Sequence, residues 1–253
     1  MRIIFKTRYD QDINLAPHGG VVFWYSLLAI ALVAAPLIVA PFYVGEVSFL
    51  FIWSLAGLSL MVLTGYAGLI SIGHAAFIGI GAYVHTYLIR RGVPFAPSLL
   101  LGGLAAALAG VLIAVPAIRM RGLYLAIATL AFSAIAQEVF VRWEALTGGS
   151  RGVVVPKPQF FGRTIESETG FYYLCLSILV VCILGVLNLL RAPTGRAWIA
   201  LRDSEIAAQS MGVYLAGYKV LAFAFSAFLA GIAGGLFAHK VGYVTPDIFT
   251  PIL

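Results

Sequence analysis

Charged positions divide the chain into long uncharged runs. No Asp, Glu, Lys or Arg occurs from Ile13 to Gly45, Val47 to Ile89, Gly92 to Ile118, Gly122 to Gln137, Thr169 to Leu190, or Val220 to His239. A helix needs about 20 residues to cross a bilayer, so apolar runs of this length are candidate spans. Seven are expected: Val21–Val44, Val47–Leu63, His74–Ile89, Ser98–Ile118, Leu123–Val141, Phe171–Leu190 and Val220–Ala238. The run from Val47 to Ile89 is too long for one span, and Gly65, Gly68 and Gly73 interrupt it. It reads either as two spans or as one span followed by a broken or re-entrant helix.

Composition narrows the class. Of 253 residues, 62% are hydrophobic and 10% charged, against about 45–50% and 25% in soluble domains. A soluble monomer, a disordered chain and a coiled coil are excluded, and two Cys exclude a disulfide scaffold. The expected fold is all-α, a polytopic transmembrane helical bundle forming one membrane domain over residues 1–253. The net charge of +6 sits mostly at segment edges. That suits the anionic inner face of a membrane, not nucleic acid. Arg2, Lys6 and Arg8 precede an apolar stretch too long for a signal-peptide core, so the first span is expected to stay as an anchor. With the N-terminus inside, nine basic residues fall on inner segments (Arg2, Lys6, Arg8, Arg119, Arg121, Arg191, Arg196, Arg202, Lys219). Seven fall outside (Arg90, Arg91, Arg142, Arg151, Lys157, Arg163, Lys240).

Two connections are long. Arg142–Glu168 is rich in Gly and Pro and reads as a turn-rich linker. Arg191–Val213 is charged yet contains helix formers. Here Asp203 is expected to cap a short helix, Ser204–Met211, with Glu205 in its first turn and Gly212 at its C-terminal cap. Ile206, Ala207 and Met211 share one face, which fits a helix lying on the membrane surface or one docking a partner. Within spans, Gly102, Ala106, Gly110 and Ala114, and again Ala227, Gly231 and Gly235, recur at every fourth position, as in close helix packing.

The chemical inventory is mostly negative. No Gly-Lys dipeptide exists, so there is no phosphate loop of the Gly-x-x-x-x-Gly-Lys kind, and no Gly-x-Ser-x-Gly elbow. His18, His74, His85 and His239 form no metal-binding motif, and Cys175 and Cys182 read as packing residues. No cofactor, metal or catalytic residue is expected. Glu138 reads as a snorkelling partner of Arg142.

The most informative stretch is Thr64-Gly-Tyr-Ala-Gly-Leu-Ile-Ser-Ile-Gly-His-Ala-Ala-Phe-Ile-Gly-Ile-Gly-Ala-Tyr83. Five Gly fall within 17 residues, with Ser71 and His74 at the centre. A broken membrane helix frees backbone N–H and C=O groups that can hold the charged ends of a small zwitterion. Gly65, Gly68, Ser71, Gly73, His74 and Phe77 are therefore candidate pathway residues, with Phe77 and Ile78 as apolar wall. The alternative is a packed crossover in which His74 satisfies a freed carbonyl.

This stretch resembles the signature of the branched-chain amino acid ABC transporter permeases, of the LivM type. Gly122-Leu-Tyr-Leu-Ala-Ile-Ala-Thr-Leu-Ala-Phe132, Leu146-Thr-Gly-Gly-Ser-Arg-Gly152 and Arg202-Asp-Ser-Glu-Ile-Ala-Ala-Gln-Ser-Met-Gly212 resemble further blocks of that family, in order. In such importers a Glu-Ala-Ala…Gly loop docks on the ATPase subunit. Ala207, Ala208 and Gly212 match that pattern, and Glu205 stands one place early. The resemblance implies an ATPase-coupling role for Arg202, Asp203, Glu205, Ala207, Ala208 and Gly212, within 194–213. It implies a multi-pass subunit in the bacterial inner membrane that imports branched-chain or hydrophobic amino acids by ATP-driven alternating access. The implied partners are a homologous second permease, two cytoplasmic ATPase subunits, a periplasmic or lipid-anchored binding protein, and membrane lipid. Urea or short amides are an alternative cargo, and a stand-alone secondary carrier is an alternative mechanism. Family members continue through further spans after the last segment here, so the chain is expected to be C-terminally incomplete.

Overall fold

The computed structural model describes residues 19–120, 122–160, 163–164 and 167–250. Arg2, Lys6, Arg8, Arg121 and the final Pro251-Ile252-Leu253 lie outside the described residues. Seven helices dominate the described part: α1 (Gly19–Ile38), α2 (Pro41–Leu60), α3 (His74–Arg90), α4 (Phe95–Ala117), α5 (Leu123–Arg142), α7 (Glu168–Arg191) and α10 (Leu215–Val241). A π-helical turn, Met61–Tyr66, extends α2. Shorter helices are α6 (Glu144–Thr147), α8 (Pro193–Asp203) and α9 (Glu205–Ser210). Helices suit a bilayer because every backbone group finds its partner within the segment. Five of the long helices, counting α2 with its π turn, are long and apolar enough to cross a membrane. The apolar part of α1, Val22–Ile38, and the 17-residue α3 are shorter.

Several boundaries differ from the expected ones. The seventh span, read as Val220–Ala238, runs from Leu215 to Val241 and takes in Lys219. The first span was read as Val21–Val44, but α1 ends at Ile38 and α2 begins at Pro41. Proline lacks the N–H that a helix interior needs and fits the first helical position, so a new helix starts there. The second span therefore runs from Pro41 to Tyr66 instead of Val47–Leu63. Glu46 lies in the second turn of α2, exposed, and not in a connection.

The chain ends of the helices gather into two groups. At one end, β1 (Val153–Val154) pairs antiparallel with β4 (Tyr243–Val244), and Lys240 Nζ lies 2.9 Å from Glu168 Oε2. Arg90 and Arg91 line a recess there with Glu144 and Gly148. A second short pair, β2 (Gln159–Phe160) with β3 (Arg163–Thr164), completes the linker. At the other end, Arg202 reaches the backbone of Gly65. The stretch 67–73 joins α2 to α3, and α3 carries the chain back to the end where Arg90 and Arg91 lie.

The core is cemented by glycine. A Cβ placed on Gly81 of α3 would lie 2.2 Å from the carbonyl oxygen of Gly231 in α10, and one on Gly234 would lie 2.0 Å from that of Ile78. A Cβ on Gly102 would lie 2.9 Å from the Gly81 carbonyl oxygen, and one on Gly110 would lie 2.7 Å from that of Phe223. The small-residue stripes thus form one seam between α3, α4 and α10. Lipid tails are as apolar as side chains, so such close contact, not hydrophobic burial, holds the helices together. Toward the Lys240 end of this seam His85 Nε2 and His239 Nε2 lie 2.9 Å apart. Most of α7 faces outward, packing chiefly on α2, and Cys175 is buried while Cys182 is half-buried. Glu138 and Arg142 form an exposed ion pair one turn apart on α5.

Gly81→Ala should lower stability in detergent by about 1–3 kcal/mol, the usual cost of overpacking. Gly57→Ala, whose Cβ would meet nothing within 4 Å, should shift it by no more than about 0.5 kcal/mol. Thermal unfolding of the two purified variants measures the difference. Equal midpoints would show that the α3–α10 contact relaxes without cost.

Candidate functional site

A cleft of about 420 Å³ opens between α2, the break after it, α3, α10 and the turn 246–250. Its walls are apolar along most of their length, with Ile52, Trp53 and Leu60 from α2, Ile78 from α3 and Phe237 from α10. Its polar side chains are Ser71 and His74 at the break, and Thr250 on the turn, whose hydroxyl is already bonded to the Asp247 carbonyl. This volume and this uneven polarity are typical of a site for a small ligand.

The break positions these two side chains through hydrogen bonds to its neighbours. His74 Nε2 lies 2.6 Å from Ser59 Oγ, and that hydroxyl donates to the Ala56 carbonyl at 2.6 Å. A hydroxyl has one proton, so the neutral ring carries its own on Nε2 and leaves Nδ1 as an acceptor. The expected alternative role of His74, satisfying a freed carbonyl, gives way to this bond across to α2. Ser226 of α10 donates to the Ser59 carbonyl at 2.7 Å, so one buried chain of contacts joins α3, α2 and α10. On the other flank, Ile72 N donates to Thr129 Oγ1 at 3.0 Å. Gly73 sits so close to α5 that a Cβ would lie 2.0 Å from the Thr129 carbonyl oxygen.

Three buried polar atoms beside this break have no protein partner: Ser71 Oγ, His74 Nδ1 and Ser133 Oγ. Ser71 and His74 are each only 9% exposed. Unsatisfied buried polar groups are costly and uncommon, so the cleft offers one hydroxyl and one ring acceptor to a ligand. Phe77 does not line the cleft; it is buried behind His74, against Phe132 at 5.4 Å between ring centroids. Gly65 and Gly68 lie at the other end of the break. Gly68 has φ +69°, and a Cβ there would come 2.9 Å from Arg202 Cγ.

That arginine opens the second part of the site. Arg202 Nη1 donates to the Gly65 carbonyl at 2.9 Å, and its guanidinium also holds Asp203 Oδ1 at 3.2 Å. The expected cap is corrected here: Asp203 ends α8, and Ser204 caps α9, accepting from Ala207 N at 3.3 Å. Ser204 has the extended backbone that a cap needs, which a residue ending the preceding helix lacks. At the far end Gly212 has φ +83°, with Gly212 N bonded to Gln209 O and Val213 N to Ala208 O, both at 3.0 Å. This is the Schellman arrangement. Ala208 packs inward, whereas Ile206 and Met211 project outward, 72% and 85% exposed.

Glu205 turns the other way. Its Oε1 lies 2.9 Å from Lys219 Nζ in α10. Trp198 of α8 is fully buried and donates from Nε1 to the Tyr218 carbonyl at 3.0 Å. Sequence reasoning missed Ser59, Thr129, Ser133 and Trp198 as parts of this region, and it placed Lys219 beside the loop without pairing it to Glu205. Hydroxyls inside apolar spans were the available signals.

Residues 43–253 match the model of a family described as branched-chain amino acid transport system, permease component. The chain belongs to this family. It is similar to the high-affinity branched-chain amino acid transport system permease protein LivM of Salmonella typhimurium and to that of Escherichia coli. Identity is 39% over 254 residues in each case, covering 90% of this chain and 60% of the relative. The chain thus spans about 60% of the length of these relatives. The autoinducer 2 import system permease protein LsrC of an Enterobacter strain is 29% identical over 150 residues, 58% of this chain and 40% of that one. No solved structure matches significantly. Permease relatives and apolar helices together identify a multi-pass membrane protein.

Gly212→Val in this permease-family chain should fray α9, because a β-branched residue tolerates a left-handed cap poorly. Hydrogen exchange at the amides of residues 207–213 should quicken relative to the unchanged chain. Equal protection would mean that packing on α10, not the cap, holds the loop helix.

Proposed function

We propose that this chain is the translocating subunit of an ABC importer in a bacterial inner membrane, carrying branched-chain or other hydrophobic amino acids inward. The family match supports the class, and the cleft supports the cargo. A hydrophobic amino acid needs an apolar wall for its side chain and a few polar groups for its ammonium and carboxylate. Ile52, Ile78 and Phe237 supply the wall. His74 Nδ1 would accept from the ammonium, while the Ser71 hydroxyl would donate to the carboxylate. The observation that carries the reading is that the two residues of the mostly apolar cleft with unpartnered polar atoms, Ser71 and His74, both sit at the break.

The loop helix α9 would receive the push of a cytoplasmic ATPase subunit through its outward face. The break that ends the cleft is bonded to Arg202 just before that helix. A second homologous permease would complete the pathway, two ATPase subunits would drive it, and a binding protein would deliver the amino acid. Alternating access then means that displacement of the loop reshapes the break.

The reading has a topological consequence. A Cys at Ser204, in a chain lacking Cys175 and Cys182, should resist a membrane-impermeant thiol reagent in intact cells and react after permeabilisation. Labelling in intact cells would place the loop outside and remove the coupling role.

It also has a chemical one. In the complete transporter, Ser71→Ala and His74→Leu should each cut ATP-dependent uptake of labelled leucine. A hydrogen bond to a charged group is worth about 1.5–3 kcal/mol, or roughly 10–150-fold. Membrane abundance and ATPase copurification should persist. Uptake that falls only in step with abundance in both variants would move the pathway elsewhere. Uptake surviving without the ATPase subunits would favour a secondary carrier.

A further inference from the structure

A lysine at the end of a membrane span ordinarily lets its long stem snorkel and keeps its ammonium in water. Lys219, in the second turn of α10, does the opposite. It is 1% exposed, and its Nζ meets Glu205 Oε1 at 2.9 Å, with the glutamate side chain 17% exposed. The chain therefore buries a charge pair at the place where water was within reach of both groups.

The context explains what such a pair can do. A helix of six residues has little stability of its own, since isolated helices below about 12–15 residues are marginal in water. The two caps of α9 fix its ends but do not fix where it sits. Ala208 packs inward, and Glu205 is bound to α10 by charge. One residue before Lys219, the Tyr218 carbonyl accepts from the buried Trp198 of α8. The start of α10 is thus gripped from both α8 and α9. Farther along, α10 is joined to α3 and α4 through glycine contacts, and Ser226 bonds to Ser59, the partner of His74.

We propose that Lys219 is a positioning residue that locks the loop helix to the base of α10, so that the two move as one body and a push on the loop reaches the cleft. This rests on the permease reading above. On this view Glu205 is not offered to the partner subunit. Its charge is spent inside the chain, and the apolar face of Ile206 and Met211 is left for docking.

The test uses the complete transporter in proteoliposomes, with ATP hydrolysis and leucine uptake measured together. Lys219→Met should assemble with the ATPase subunits but move about tenfold fewer leucines per ATP hydrolysed, within the usual range of coupling between sites. Lys219→Arg keeps the charge and should restore most of the ratio. Glu205→Gln leaves a hydrogen-bonding side chain without the charge and should uncouple like Lys219→Met; it carries the same decision if that variant fails to reach the membrane. An unchanged ratio in Lys219→Met and Glu205→Gln overturns the proposal. So does a loss of hydrolysis and uptake in step with abundance, which a purely structural role would give. A second readout does not depend on transport. Spin labels at Gln209 and Leu221, in a chain lacking Cys175 and Cys182, should give one narrow distance distribution that broadens in Lys219→Met. An equally narrow distribution in the variant overturns the lock. Failure of the unmodified complex to couple ATP to uptake would instead refute the permease reading, and the label distances would decide the lock alone.

Discussion

Close backbone approach between α3, α4 and α10 is the constraint on which the rest of this molecule depends. In a bilayer the helices gain nothing by hiding apolar surface from lipid, so the contact itself must be better than the contact with lipid tails. Glycine at 81, 102, 110, 231 and 234 allows backbone atoms to meet where any Cβ would collide. Once that seam is set, α2 can lie across α10 through Ser226 and Ser59, and the cleft is the space left between them and the break. The depth of the cleft and the orientation of His74 are consequences of how near α3 stands to α10.

The polar contacts follow a second rule. Several buried hydroxyls in the long helices either return to their own helix or tie two elements together. Thr86 and Ser98 bond back to the Ala82 and Phe95 carbonyls of their own helices. Ser226 and Thr129 bridge, one to α2 and the other to the break. Among the unpartnered buried atoms, which also include Tyr83 Oη, Ser133 Oγ and the Nδ1 atoms of His85 and His239, Ser71 Oγ and His74 Nδ1 are the two whose residues line the cleft.

Much of this was legible in the sequence, and the reasons differ from element to element. Charge-free runs located the long helices because a charge in lipid is costly wherever it stands. The small-residue stripes located the seam because every fourth residue shares a helix face. Gly212 announced a left-handed cap. What escaped detection depended on partners distant in the chain. Ser204 and Asp203 are adjacent and both good caps; only the extent of α8 decides between them. Glu205 reads as a docking charge until Lys219, 14 residues on and past a turn, is seen to hold it. Phe77 looks like pathway wall by spacing, yet α3 turns it toward Phe132 while Ile78 faces the cleft. The division between α1 and α2 was hidden because the uncharged run crosses Pro41 without a polar interruption.

The distribution of stiffness gives the proposed transport cycle a direction. The seam of α3, α4 and α10 has little room to deform, since displacing one backbone against another by a fraction of an ångström forces atoms into contact. The stretch from Met61 to Gly73 is different in kind. It begins as a π turn, with longer-range hydrogen bonds than an α-helix, and continues as seven residues outside any helix. Such turns inside helices recur where function needs local adjustment. Arg202 grips this stretch at Gly65, while Thr129 holds it at Ile72. A displacement of the loop that carries Arg202 therefore meets a rigid body at α10 and a compliant one at the break. Strain entering the membrane domain from that side would be relieved in the compliant element, which is the one that presents Ser71 to the cleft and leads directly into His74.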